Sequence, residues 1–257
     1  MTAGQLMSDL HGKVAVVTGA SRGIGRAIAL RLAADGARVV VNYAHRHDAA
    51  HATVKDITDA GGQALAVQAD IASPVAIRHL FDSTLHHYGQ LDILVANAGY
   101  AVFKPLADIS EEDFDATYAV NARGTFFCMQ QALRHLGDGG RIVCISTIGT
   151  LLNLPGGACY FGAKAAVEQF CRVAAREVAA RGITINAVSP GFTDTDMLRA
   201  SLAHSEADAT AQLIAMTPLA RLGAGRDIAA VVAFLVGPDA AWMTRQNLAV
   251  DGGIVSR

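Results

Sequence analysis

The chain has 257 residues, of which 52% are hydrophobic and 17% charged, and its formal net charge at pH 7 is −2. This amount of apolar material can fill the core of one large α/β domain, and it excludes an intrinsically disordered chain. The charge is balanced and no Lys/Arg-rich block occurs, so the composition argues against nucleic acid or a membrane as a partner and favours a small-molecule ligand.

The sequence also lacks targeting and metal-binding patterns. The first residues, MTAGQLMSDLHGK, contain no apolar signal segment, and no later stretch approaches the roughly 20 apolar residues of a membrane span. Four cysteines form no CxxC pair and no metal-ligand spacing, which predicts free thiols in a cytoplasmic protein. These cysteines are Cys128, Cys144, Cys159 and Cys171. His45, His47 and His51 match no familiar ligand set, so no metal site is expected.

Seven short runs rich in β-branched residues alternate with longer helical patterns. The runs span 13–18, 38–43, 64–69, 91–96, 141–146, 183–188 and 247–250. Segments between them, such as GRAIALRLAADG and PVAIRHLFDSTLHHYG, repeat apolar residues three and four apart and end at glycine, as amphipathic helices do. This alternation predicts a doubly wound α/β fold with a single seven-stranded parallel sheet and helices on both faces. A ligand of such a sheet binds beyond the carboxyl ends of the strands.

No linker or internal repeat divides the chain, so residues 1–257 are predicted to form a single domain. Its least regular part is at about 191–225, where PGFTDTDM leads into an Ala/Ser-rich helical patch that ends at TPLARLGAG. We expect this segment to act as a mobile flap over the ligand.

A glycine-rich stretch, TGASRGIG at 18–25, follows the first predicted strand and opens the first helix. At such a junction bare backbone N–H groups can hold the pyrophosphate of a dinucleotide, and glycine lets the phosphate approach. The spacing GxxxGxG differs from the general GxGxxG fingerprint. Taken alone, Gly19, Gly23 and Gly25 are therefore also compatible with a plain tight turn.

The stretch CYFGAK at 159–164 places a phenol and an ammonium four residues apart. On a helix, Tyr160 and Lys164 share one face, one turn apart. Such pairs are common on ordinary helix surfaces, so only the other motifs favour a chemical role for this one.

Taken in order, TGASRGIG, the NAG segment at 97–99, Asn121, the YFGAK pair and PGFTDTDM resemble the short-chain dehydrogenase/reductase family over nearly the whole chain. The resemblance, in the style of oxoacyl or polyketide-ketone reductases, implies a Rossmann fold, a glycine loop that binds NAD or NADP, and a catalytic Tyr-x-x-x-Lys pair. The large helices within 111–136 and 158–181 would, by resemblance, pair across subunits into a homodimer or homotetramer.

The resemblance also implies which residues bind the cofactor, including two that contact adenine and four that hold the nicotinamide carboxamide. The full set is Gly19, Ser21, Arg22, Gly23, Ile24, Gly25, Asn42, Tyr43, His45, Arg46, Asp70, Ile71, Asn97, Ala98, Gly99, Tyr160, Lys164, Pro190, Gly191, Thr193 and Thr195. Asp70 and Ile71 are the adenine contacts.

Reduction of a ketone needs a proton for the developing alkoxide, and Tyr160 is the predicted acid/base. A free phenol with a pKa of ~10 is only about one part in a thousand ionised at pH 7. An ammonium at about 4 Å contributes roughly 1 to 4 kcal/mol, so Lys164 is expected to lower the phenol pKa by about one to three units. By resemblance, Asn121 kinks its helix and holds a water that relays protons; otherwise its side chain only bonds nearby backbone.

A second hydroxyl should hydrogen-bond the substrate oxygen, and by resemblance it stands thirteen residues before the tyrosine. That position is Thr147, whereas Ser146 lies fourteen residues before Tyr160 but three before Gly149, as the family's serine stands ahead of its own glycine. We therefore favour Ser146 and keep Thr147 second, because the threonine methyl group would crowd the pocket.

No acidic residue closes the second predicted strand, VVVNYAHR, where NAD-binding proteins place a carboxylate for the ribose hydroxyls. Arg22 and Arg46, with His45, can instead supply positive charge to a 2′-phosphate. The sequence thus predicts a preference for NADP(H), with NAD(H) as the alternative if these arginines are only solvated.

The predicted function is an NADP(H)-dependent oxidoreductase that interconverts a ketone or 3-oxo group and a secondary alcohol. An NAD(H)-dependent alcohol dehydrogenase and a non-catalytic dinucleotide-binding sensor or scaffold stay open as alternatives. Intact Tyr160, Lys164 and Asn121 argue against the sensor, and the unusual serine spacing argues for it. A sugar-nucleotide epimerase would need a different glycine spacing and a larger C-terminal domain. Arg245 is a further departure, because relatives commonly carry glycine there.

Overall fold

The computed structural model describes residues 9–202 and 208–255. Within them, seven parallel strands form one sheet in the order β3-β2-β1-β4-β5-β6-β7. The strands are β1 (Val14–Val17), β2 (Arg38–Tyr43), β3 (Gln63–Gln68), β4 (Ile93–Ala96), β5 (Arg141–Ile145), β6 (Thr184–Pro190) and β7 (Asn247–Val250). Each strand overlaps its predicted run, and the predicted doubly wound Rossmann fold is confirmed.

Helices connect successive strands. They are α1 (Gly23–Ala34), α2 (His47–Asp59), α3 (Pro74–Tyr88), α4 (Glu111–Tyr118), α5 (Thr125–His135), α6 (Gly149–Leu152), α7 (Ala158–Glu177), α8 (Asp196–Leu202), α9 (Ala209–Ala215) and α10 (Gly225–Val236). Helix α3 shows how local sequence sets the ends: the Ser73 hydroxyl accepts from the Ala76 amide, Pro74 begins the helix, and Gly89 ends it at φ 74°. No helix in the described part of the chain is long and apolar enough to cross a membrane.

The core has two halves, one on each face of the sheet. Val17 packs into the cluster under α1, α2 and α10, while its neighbour Val16 packs into the cluster under α3, α5 and α7. Because consecutive strand residues point to opposite faces and both faces are covered, the central strands are apolar throughout. The short β-branched runs of the sequence follow from this double burial.

The sheet reverses its winding direction at β1, which pairs with β2 on one side and β4 on the other. The loops that follow β1 and β4 therefore diverge and leave a crevice at the carboxyl ends of the strands. The predicted flap at about 191–225 contains α8 and α9, and its residues 203–207 lie outside the described residues. Arg245 adopts φ 64°, a left-handed conformation that favours glycine.

Candidate active site

A cleft of about 690 Å³ opens at this crevice, a volume within the range of ligand pockets. Every residue predicted to bind the cofactor lines it, from Gly19 after β1 to Thr195 before α8. Ser146 and Thr147 line it as well, whereas Asn121 is fully buried behind the wall. The fold thus brings the separate sequence motifs into one cavity.

The glycine loop forms a cradle between β1 and α1. Gly19 and Gly23 adopt φ values of 63° and 55°, which glycine reaches without steric cost. A Cβ on Gly25 would lie 2.4 Å from the Gly19 carbonyl oxygen, so only glycine lets the helix start so close to the loop. The N-cap residue Arg22 makes no side-chain cap hydrogen bond, which leaves the N–H groups of the first turn for an anion. The cradle fits the pyrophosphate of a dinucleotide.

Thr18 and Asn97 tie the glycine loop to the end of β4. The Thr18 hydroxyl oxygen accepts from the amides of Asn97 and Ala98 at 2.9 and 3.0 Å. The Asn97 side chain donates to the carbonyl of Thr18 at 2.8 Å. Sequence reasoning did not single out Thr18, although it begins the quoted glycine motif. Its role depends on Asn97 and Ala98, which follow β4 and stand 79 and 80 residues later in the chain.

Asn42, at the end of β2, supports the same loop from the other side. Its Oδ1 accepts from the amide of Gly19 at 3.2 Å, and its Nδ2 donates to the carbonyl of Ala69 at 2.9 Å. The side chain is buried and both of its polar atoms are engaged with backbone. Asn42 therefore lines the cleft chiefly as a brace for the glycine loop, a role that the sequence comparison with NAD-binding proteins did not predict.

Basic side chains line the cleft just after β2 and in the glycine loop. His45 and Arg46 follow β2 and line the cleft, and β2 ends in Tyr43 without an acidic residue. Arg22 also lines the cleft, but its Nη1 lies 2.9 Å from Oδ2 of Asp196 on α8. Arg22 thus connects the glycine loop to the flap.

Tyr160 and Lys164 lie one turn apart on the buried face of α7. Lys164 Nζ donates to the carbonyl of Ile145 at 2.8 Å and lies 5.9 Å from the centroid of the Tyr160 ring. Burial raises the pKa of Tyr160 to about 12 and lowers the pKa of Lys164 to about 8. The expected lowering of the phenol pKa is not found, because desolvation sets the shift of the buried phenol while the Lys164 ammonium donates to a backbone carbonyl.

Ser146 and Thr147, which follow β5, use their hydroxyls differently. Ser146 Oγ donates to Oε1 of Glu168 at 2.8 Å, inside the protein. Thr147 Oγ1 accepts from the amide of Gly149 at 3.1 Å, so its own proton is left for a group in the cleft. The Ser146 proton is thus engaged with Glu168, whereas the Thr147 proton stays free toward the cleft.

Asn121 lies in a π-helical turn, Ala119–Gly124, that joins α4 to α5. Its Nδ2 donates to the carbonyls of Tyr100 and Thr117 at 2.6 and 2.8 Å. A Cβ on Gly99 would lie 3.2 Å from Asn121 Oδ1 and 3.6 Å from Lys164 Nζ. Any side chain at position 99 would therefore crowd both of these polar groups.

The end of the cleft beyond Tyr160 is apolar. Phe103 is 43% exposed, and its ring packs edge-on against Tyr160 and Phe161 with centroid distances of 5.8 and 6.2 Å. The Phe161 ring fits between two glycines, because a Cβ on Gly149 or Gly157 would lie 2.1 or 2.0 Å from it. Other apolar residues that line the cleft include Leu152, Leu154, Phe192, Met197, Leu198, Leu202 and Leu213. The sequence alone did not indicate these aromatic residues as part of the site.

Comparison with known proteins now decides the family. A family model described as enoyl-(acyl carrier protein) reductase matches residues 19–255. A short-chain dehydrogenase of Burkholderia cenocepacia, solved in complex with NADP, has a TM-score of 0.90 and 44% identity, covering 96% of this chain and 99% of that one. This chain belongs to the short-chain dehydrogenase/reductase family.

Two relatives of this short-chain dehydrogenase/reductase have names that mention substrates. A hydroxynaphthalene reductase-like protein of Metarhizium brunneum is 43% identical, covering 96% of this chain and 97% of its own length. Versicolorin reductase 1 of Aspergillus parasiticus is 42% identical, covering 96% of this chain and 99% of its own length. The predicted family and enzyme class are confirmed: the protein is an NAD(P)-dependent oxidoreductase that acts on CH–OH groups.

Proposed function

We propose that this short-chain dehydrogenase/reductase is an NADP(H)-dependent ketoreductase in which Tyr160 exchanges a proton with the substrate oxygen. The observation that carries the proposal is the buried Tyr160–Lys164 pair on α7, which faces the cleft that the glycine loop opens. Burying a phenol and an ammonium costs folding free energy. An enzyme needs such a buried pair for proton transfer, whereas a sensor or scaffold does not.

The proton chemistry follows from the burial of the pair. The cofactor, when bound, supplies the hydride to the carbonyl carbon. The phenol O–H bond of Tyr160 breaks as the O–H bond of the alcohol forms, and burial, which raises the pKa of Tyr160 to about 12, keeps the phenol protonated for this step. Lys164, whose pKa is lowered to about 8, still carries its proton in most molecules at pH 7 and stabilises the phenolate that results. This arrangement favours reduction over oxidation.

Thr147 and Asn121 complete the proposed machinery. The free Thr147 proton makes a hydrogen bond to the substrate oxygen and stabilises the charge that develops there. Asn121, separated from Lys164 by Gly99, holds the water through which Lys164 regains a proton from solvent. The π-helical turn supports this role, because such turns occur frequently at functional sites.

NADP(H) is the preferred cofactor. Arg46 and His45 line the cleft just after β2 and Arg22 lines it from the glycine loop, and β2 itself ends without a carboxylate that would repel a 2′-phosphate. The NADP complex of the Burkholderia relative supports the same preference. The test is the ratio of kcat/KM for NADPH to that for NADH. We expect a ratio well above one, and a ratio at or below one would contradict the assignment.

The substrate is proposed to be a flat, apolar ketone. The rings of Phe103 and Phe161 form one wall beside the Tyr160 phenol, and the flap contributes aliphatic side chains. The name of the Metarhizium relative, a hydroxynaphthalene reductase-like protein, mentions an aromatic ring system as well. A panel of bicyclic aromatic ketones, 3-oxoacyl thioesters and an enoyl thioester, each with NADPH, separates ketone reduction from the C=C reduction that the family description names.

Replacing Tyr160 by Phe tests the acid/base assignment directly. The variant should lose at least about a thousandfold in kcat while NADPH affinity changes little, because the hydroxyl acts on the transition state. Tyr88→Phe, a half-buried tyrosine outside the cleft, is the matched control. Turnover by the Tyr160→Phe variant at near the normal rate would disprove the mechanism.

A homodimer or homotetramer remains proposed. Exposed apolar side chains on α4, α5 and α7, namely Phe114, Phe126 and Val173, support pairing through these helices. Sedimentation at micromolar concentration tests it, and a stable monomer would remove the proposal. The single domain over 1–257 and the cytoplasmic location stay predictions, to be checked by a single cooperative unfolding transition and by cell fractionation.

A further inference from the structure

Glu168 is a buried carboxylate next to the active site for which the mechanism has no use. It lies on α7, about two turns after Tyr160, and is 6% exposed. Its Oε1 accepts from Ser146 Oγ at 2.8 Å and from Thr150 Oγ1 at 2.7 Å. Its Oε2 lies 3.5 Å from Nη2 of Arg172. Burying a charge is costly unless it is paired and hydrogen-bonded, so a carboxylate kept at this place calls for a reason.

Both hydroxyls come from the turn that carries Thr147. Ser146 stands just before Thr147, at the end of β5, and its amide donates to the carbonyl of Val188. Thr150 stands three residues after Thr147, in the short helix α6. One oxygen atom therefore holds both ends of the turn, and the helix that supplies this oxygen also carries Tyr160.

We propose that Glu168 is a positioning residue that sets the Thr147 hydroxyl at a fixed place relative to the Tyr160 phenol. This inference rests on the proposed function, in which both groups bind one substrate oxygen. Helix α7 carries Tyr160 and, through Glu168, also holds the turn that carries Thr147, so this one helix fixes the distance between the two groups. Without the carboxylate the turn loses its link to that helix. Even a small displacement of a catalytic group lowers the reaction rate strongly. Glu168 itself lies outside the cleft lining.

The test combines substitutions at Glu168 with one at Thr147. Glu168→Leu should lower kcat by about 10- to 100-fold, while the NADPH dissociation constant, measured by fluorescence titration, changes less than about twofold. Glu168→Gln keeps an oxygen that accepts both hydroxyl bonds and should retain kcat within about threefold. In a Thr147→Val background, Glu168→Leu should cost nothing further, because residues that act as a unit are not additive. Glu177→Leu, at the exposed end of the same helix, is the control.

The outcomes separate this inference from the proposed function. Full activity of Glu168→Leu, an equal loss in both backgrounds, or a Gln variant as poor as the Leu variant would each overturn the positioning role. Full activity of Thr147→Val would instead disprove the role of Thr147, and the inference with it. Where Glu168→Leu fails to fold, Thr150→Val removes one of the two bonds and should lower kcat only when Thr147 is intact.

Discussion

Raising the pH from 7 to 9 should lower kcat/KM for the ketone, measured at saturating NADPH, about tenfold. Burial lowers the pKa of Lys164 to about 8. The protonated fraction therefore falls from about 90% at pH 7 to about 10% at pH 9. The phenolate that Tyr160 becomes relies on this cation, so the rate should follow the protonated fraction. The assay is the initial rate of NADPH consumption at saturating NADPH and subsaturating ketone, because kcat/KM for the ketone includes the proton-transfer step.

The pH dependence of the free energy of unfolding distinguishes this loss of activity from a loss caused by unfolding. The pKa of Lys164 is lowered from 10.5 to about 8 in the folded protein, so the unfolded chain binds more protons between these values. From this group, the free energy of unfolding rises with pH in that window, by at most about 1.4 kcal/mol per pH unit. The raised pKa of Tyr160 acts in the opposite direction only above its ordinary value of 10.0. A kcat/KM that stays level through pH 9 would refute the reasoning, as would a loss of activity that follows a fall in melting temperature.

Four further substitutions test other parts of the site. Thr147→Val should lower kcat by roughly 100- to 1000-fold, which is the usual effect of removing a donor to a developing oxyanion. Ser146→Ala should retain kcat within about tenfold. If the two variants show the reverse order, Ser146 is the donor. Gly25→Ala should weaken NADPH binding at least about tenfold and lower the free energy of unfolding by about 1–3 kcal/mol, because its Cβ would lie 2.4 Å from a backbone oxygen. Fluorescence titration measures the first effect and urea unfolding the second. Unchanged binding and stability would show that the loop can adjust to the added methyl group. Arg22→Leu should raise KM for NADPH but not for NADH, and an equal change in both would mean that Arg22 only ties the loop to the flap.

Local sequence pattern was enough to predict the framework of this protein. The central strands could be predicted because both of their faces are buried, which makes each of them a short apolar run, and the edge strands β3 and β7 keep the same alternation with helices although they are less buried. The glycine loop and the Tyr160–Lys164 spacing are equally local. A left-handed φ at Gly19 and a separation of one helical turn between two side chains can both be recognised from a few consecutive residues. All these features arise between neighbours in the chain.

Tertiary structure decided what the local pattern could not. Whether Ser146 or Thr147 keeps a free proton depends on Glu168, which approaches from another element, and the use of Asn42 depends on Gly19 and Ala69. The direction of the Tyr160 pKa shift was likewise not determined by its spacing from Lys164. Desolvation depends on everything that packs around a group, and most of that comes from distant parts of the chain. Sequence by itself determined which groups meet at the cleft; the three-dimensional packing determined which of their atoms remain free to react.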